Sequence, residues 1–141
     1  MDTNMRKGGD GWRAETRVDL GPVTNHRGEG MRVLTINTWK HSNGGIYTSA
    51  SAAVHLDGMT SFEIFGDFHK TLIPRDGTKC TEKAVRQWHE RALLQVDGVV
   101  AEAKAFYAAK DAKRAEEDAR RTEREALEPS PELAQALQAS A

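Results

Sequence analysis

The sequence predicts an α+β fold: a three-stranded antiparallel β-meander packed against a long C-terminal α-helix, with a disordered N-terminal stretch in front. Three observations lead there. Asn43-Gly44 and Asp57-Gly58 stand between runs rich in β-branched and aromatic residues, and both dipeptides favour the two-residue hairpin turn whose central positions need positive φ. From Val85 to Phe106 apolar residues recur at spacings of three and four, the signature of one helix face. Residues 1–30, by contrast, hold six glycines, Pro22 and mixed charges, with apolar residues too sparse for either period.

These contrasts divide the chain into a disordered stretch (1–30), a core domain (31–107), a charged helical extension (108–128) and a tail (129–141). Glu29-Gly30 before Met31 is what a purine-rich ribosome-binding site spells when translated, so the native start is expected at Met31.

The strands are predicted over RVLTINTWKHS, IYTSASAAVHL and MTSFEIFGDFHKTLI. A turn centred on Asn43-Gly44 pairs Trp39 with Thr48, and one centred on Asp57-Gly58 pairs Thr48 with Asp67. Side chains alternate between faces along a strand. One face then gathers Leu34, Ile36, Tyr47, Ala53, Phe62, Ile64 and Phe68, and is the predicted core. The other is mixed: Asn37, Trp39, His41, Ile46, Thr48, Ala50, Ala52, Phe65, Asp67 and His69. A three-residue first loop through Gly45 would turn strand one over relative to strand two.

Pro74 ends the third strand, and Thr81 is placed to cap the helix that Glu82 opens. The stripe Val85, Trp88, Ala92, Val96, Val99, Ala103, Phe106 is expected to cover the core face, with a kink at Asp97-Gly98. Beyond Tyr107 the apolar residues dwindle to alanine, and Glu116 with Arg120 and Glu117 with Arg121 form supporting i, i+4 pairs. Alanines at 108, 112, 115, 119 and 126 with Thr122 approximate a heptad that would pack closely though weakly, so this segment is expected to be a solvated arm or, alternatively, a coiled-coil seam for assembly. Pro129 and Pro131 stop the helix.

At 141 residues the chain holds one domain of ordinary size. Its 20 Lys and Arg against 21 Asp and Glu give a net charge of −1, so no global field draws it to nucleic acid or an anionic membrane, and only a local patch could. The single cysteine, Cys80, excludes an intrachain disulfide. Without a leader or a spanning apolar run, it points to the cytoplasm.

The chemistry-bearing residues are weighed in groups. His41, Asp67 and His69 suggest a metal or acid–base site, but His41 and His69 would flank a central strand about 10 Å apart, too far for one tetrahedral ion. Cys80 and His89 suggest a thiol dyad, yet about 13 Å of helical rise separates them. No phosphate loop, zinc pair spacing or nucleophile elbow is present, so neither a cofactor nor a catalytic residue is expected. The mixed face, with Asn37, Trp39, His41, Phe65, Asp67 and His69, is either packed under the N-terminal stretch or against another subunit, or is a ligand or partner surface, since it combines aromatics with hydrogen-bonding groups as interface hot spots and base-stacking platforms do.

A short sheet ending in FGDFHK and leading into TEKAVRQWHERAL resembles the small accessory proteins of phages and prophages of GC-rich bacteria. That resemblance implies a non-enzymatic job performed by binding, including inhibition of host systems, and transfers no catalytic residue. The leading expectation is a small binding protein that contacts a protein partner through the mixed face and assembles through its long helix. The alternative is a nucleic-acid or nucleotide binder with Arg32, Lys40, Lys70, Arg75, Lys79, Lys83 and Arg86 as its cationic margin. A metal-dependent enzyme using His41, Asp67 and His69 comes third.

Overall fold

Strict alternation is present in the stretch expected to be disordered: Trp12, Ala14, Thr16, Val18 and Leu20 are interleaved with Arg13, Glu15, Arg17 and Asp19. That is the pattern of a half-buried strand. In the computed structural model, which describes residues 2–25, 28–56 and 68–127, it forms one. β1 (Thr3–Gly8) and β2 (Gly11–Asn25) precede β3 (Gly28–Lys40), β4 (Ile46–Leu56) and β5 (Phe68–Ile73). The five strands make one antiparallel sheet in the order β1-β2-β3-β4-β5. The expected three-stranded meander is therefore the far side of a wider sheet. The glycines read as signs of disorder act as punctuation: Gly8 pairs with Gly11 across the first turn, and Gly21, at φ 127°, follows an irregularity in the β2–β3 register at Asp19/Gly21.

The β3–β4 register also departs from expectation. Trp39 pairs with Tyr47, and Thr38 with Thr48. A two-residue turn at Asn43-Gly44 would need positive φ at Asn43, but among the described residues only glycines have it, with Gly44 at 91° and Gly45 at 75°. The loop closes one residue wider, His41 N–H donating to the Gly45 carbonyl at 2.9 Å and Gly44 N–H to the His41 carbonyl at 3.0 Å. β4 is turned over relative to β3 as a result. Ile46, Thr48, Ala50 and Ala52 join Leu34, Ile36 and Thr38 on the core face, while Tyr47, Ser49, Ser51 and Ala53 join Asn37 and Trp39 on the open one.

β5 pairs Ala52 with Phe68 and Ser51 with His69, a register different from the one expected from a two-residue turn at Asp57-Gly58. That turn, with Phe62, Ile64, Phe65 and Asp67, lies outside the described residues.

Helix α1 (Glu82–Leu93) begins where the capping signal predicts, the Thr81 hydroxyl accepting from Ala84 N–H at 3.2 Å. It crosses β2, β3, β4 and β5. Val85 and Trp88 join Ala14 and Ile46 in a core cluster flanked by Met5, Trp12, Ile73 and Cys80. Ala14 of β2 belongs to that cluster, and Met5 of β1 and Trp12 of β2 flank it, so the N-terminal stretch is part of the core. Buried aliphatic groups of this kind stabilise by about 1.5–3 kcal/mol for each large side chain.

The break in the helix falls at Leu94-Gln95, just before the Asp97-Gly98 expected to kink it, and α2 runs Val96–Leu127. Its first turns bury Val96, Val99 and Ala103, and Glu102 holds Lys70 of β5 at 2.9 Å. Contacts divide the chain into a unit Met1–Ala105, which holds the sheet, and a second, Phe106–Ala141. In the second unit Tyr107 is buried at 4% exposure, whereas Phe106, expected to be buried, is 39% exposed. From Asp111 to Leu127 every side chain is exposed. Glu116 pairs with Arg120 as expected, whereas Arg121 takes Asp118 at 3.0 Å. Among the described residues no helix is long and apolar enough to cross a membrane.

Candidate binding face and cationic cleft

Alternation along β1 to β4 fixes which side chains meet on the open face. Arg6 stands across from Arg13 and Trp39 across from Tyr47, and Arg13 joins the two pairs by lying over Trp39, its Cζ 4.3 Å from the ring centroid. The result is a band of two guanidinium groups and two aromatic rings across four strands. Arg13 is steadied by neutral Asn37, whose Oδ1 accepts from Nη2 at 3.2 Å. Tyr47 meets Trp39 at 6.1 Å between centroids and the edge of His41 at 4.9 Å.

One carboxylate organises this cationic region. Glu15 accepts from Arg17 at 2.7 Å and from Arg6 at 3.4 Å, with its own side chain only 9% exposed. Two arginines therefore share one buried negative charge. Partial burial, and after it the neighbouring charge of Arg6, lowers the pKa of Arg13 from its ordinary value, against the pull of Glu15. A guanidinium remains charged even so, and an incoming anion would offset the repulsion from Arg6.

At the end of the sheet the band opens into a cleft of about 530 Å³ bounded by the β1–β2 turn and the start of the β3–β4 loop. Arg6, Lys7, Arg13 and Lys40 line it together with Trp12, Trp39 and His41, and Asp10 is the carboxylate among its lining residues. The turn Gly8-Gly9-Asp10-Gly11 is seated from behind. A Cβ on Gly11, at φ 101°, would come 3.2 Å from Cys80 Sγ, and Cys80 donates to the Trp12 carbonyl at 3.4 Å. The cysteine is thus part of the turn's support.

The interior rows of the open face are polar and buried. Asn37 and Thr35 are only 3% and 4% exposed, and Ser49 and Ser51 stand opposite them. The Thr35 hydroxyl and the Trp39 indole N–H are buried without a hydrogen-bond partner. Native proteins leave few such groups, each at a free-energy cost, and these two lie on one face.

Of the residues singled out from the sequence, Asn37, Trp39 and His41 come together here. His69, opposite Ser51, does not: six residues along β4 separate Ser51 from Gly45, the partner of His41, or about 20 Å of strand. His41 Nδ1 is also occupied, accepting from Asn43 N–H at 3.0 Å. Phe65 and Asp67 lie outside the described residues, among which no three His, Cys, Asp or Glu side chains converge as a metal site would require.

The expected cationic margin is dispersed. Lys40 lines the cleft, Lys79 shares with it a neighbouring hollow of about 520 Å³ behind the turn, Arg75 holds the Asn43 and Gly44 carbonyls, and Lys70 and Arg86 are bound to Glu102 and Glu82. Arg6, Arg13 and Tyr47 were missed. The first two lie in the segment read as disordered, and Tyr47 was assigned to the core by the one-residue slip.

On the covered face His89, passed over in the sequence except as a partner for Cys80, is buried at 1% exposure. Its Nε2 lies 2.7 Å from Thr16 Oγ1 and its Nδ1 2.9 Å from Thr38 Oγ1. Thr38 continues to Thr48 at 2.7 Å, and Thr16 to Thr3 at 3.0 Å. A neutral imidazole donates through one nitrogen and accepts through the other, which suits a hydroxyl on each side. Burial lowers its pKa from 6.5 to about 4.

Comparison of the chain with protein-family models, with curated proteins and with solved structures gives no match.

Proposed function

We propose that the protein is a non-enzymatic binding module that engages an anionic partner through the Arg6, Arg13, Trp39 and Tyr47 band and the cleft at the end of the sheet. The observation that carries this reading is Arg13 lying over Trp39 beside Arg6: charge and aromatic surface are concentrated at one place on a chain whose net charge is −1. In this reading Trp39 and His41 act in contact with the partner, Asn37 holds Arg13 in place, and Arg6, Arg13 and Tyr47 complete the surface. The test is retention on a polyanionic matrix at low salt. A chain of net charge −1 is held there only by a local patch, so an R6E/R13E variant with an unchanged circular dichroism spectrum should elute early. Equal retention of both proteins would refute the reading.

A separate observation favours assembly through α2. Seventeen consecutive residues, 111–127, are helical and exposed, and a helix segment without tertiary packing is marginal in water. The alanine heptad would supply a seam for a second copy. Light scattering should then show an oligomer that A112E/A119E reduces to a monomer.

A further inference from the structure

We infer that the cleft and the adjoining band bind single-stranded nucleic acid, with phosphates held by Arg6, Lys7 and Lys40 and bases stacked against the Arg13, Trp39 and Tyr47 group; this rests on the anion-binding reading above.

Two features at this end of the sheet converge on that ligand class. The lining cations outnumber the one lining carboxylate, Asp10, and Glu15 is already engaged by Arg6 and Arg17, so a polyanion meets net positive charge. The second feature is flat surface. Trp39, Tyr47 and His41 contact one another with Arg13 over the indole, and unpaired bases stack on aromatic rings and on guanidinium planes alike.

The same features argue against other anions. A duplex presents phosphates but keeps its bases stacked inside, where the ring faces of a cleft cannot reach them. An acidic peptide would answer the charge and leave the aromatic band without a role. Inorganic phosphate is small beside a cleft of about 530 Å³.

The test is fluorescence anisotropy with labelled dT15 and rU15, alongside polyglutamate and inorganic polyphosphate, using the full chain. The proposal expects binding of at least one oligonucleotide with a log K against log salt slope of about −2 to −3, for three to four phosphate contacts. Trp39→Ala should weaken that binding about 10- to 100-fold, Trp39→Phe should restore most of it, and Lys83→Ala on α1 should change nothing. Should Trp39→Ala misfold, the exposed pair R6A/K40A replaces it, with an expected loss of about tenfold and a slope shallower by about 1.

Polyphosphate competing as well as dT15, or Trp39→Ala binding like the wild type, would overturn the base-stacking claim. If polyglutamate binds in an Arg13-dependent way and neither oligonucleotide does, the partner is an acidic protein segment; the nucleic-acid inference falls and the anion reading stands. If none of the polyanions binds, both fall.

Discussion

The imidazole Nδ1 of His89 lies 2.9 Å from the hydroxyl of Thr38, and through that bond helix α1 is tied to the central strand of the sheet. The opposite ring nitrogen reaches Thr16 on β2. A helix usually meets a sheet through apolar groups alone. Here a titratable ring sits in the contact, and stability becomes sensitive to pH.

Burial lowers the His89 pKa from 6.5 to about 4, so the unfolded chain takes up a proton that the folded chain resists. The contribution is complete above about pH 6.5, is lost as pH falls from there to about 4, and levels off below. It amounts to at most about 3 kcal/mol. Urea titrations at pH 7, 5.5 and 4 should show this decline, and His89→Gln, less stable at pH 7, should show a flatter profile across that window. A wild-type midpoint independent of pH would contradict the assignment.

A chain shortened to begin at Met31 loses β1 and β2, and with them Ala14 of the core cluster and the Thr16 partner of His89. It should fail to fold, giving no cooperative thermal transition by circular dichroism. A cooperative transition near that of the full chain would restore Met31 as the start of the folded domain.

Gly45→Ala should be destabilising by about 1–3 kcal/mol. Gly45 has φ 75°, and an added Cβ would stand 2.8 Å from the Gly77 Cα, a backbone atom that cannot swing aside. The same change at Gly44, which has open space around it, should be milder, being strained only by its φ of 91°. Thermal melts of the two variants make the comparison.

Glu15→Gln removes the charge that Arg6 and Arg17 share. Stability should fall by about 1–2 kcal/mol, as for loss of a charged hydrogen bond, while affinity for a polyanion rises two- to tenfold because the arginines are released. Denaturation and binding measured on one preparation separate the two effects.

Much of this architecture is legible in the sequence where local chemistry decides it. Thr81 caps α1 because its hydroxyl needs only the next turn of backbone, and the stripe from Val85 to Ala103 is buried because helical spacing is rigid. β2 is also legible, in the alternation from Trp12 to Leu20, but the glycines on either side mask it, because turns and disorder share the same composition. The β3–β4 register depended on whether Asn43 or Gly45 would adopt positive φ. That one-residue difference moved Tyr47 to the open face and Ile46 to the core. The binding band needs β1, β2, β3 and β4 together, so no local window of sequence contains it. For His89 the sequence offers only a distant cysteine as partner, and only the closed sheet supplies its threonines.

The threonine and histidine chain also orders events in time. Thr3 with Thr16 and Thr38 with Thr48 are 13 and 10 residues apart, within reach of hairpins that form in microseconds. The bonds from His89 close separations of 73 and 51 residues, and closure entropy grows with the length of chain enclosed. On the ribosome the sheet can be assembled long before residue 89 emerges. Until then Ala14 and Ile46 have no cover, and the nascent protein is most exposed to aggregation in the interval between the fourth strand and the first helix.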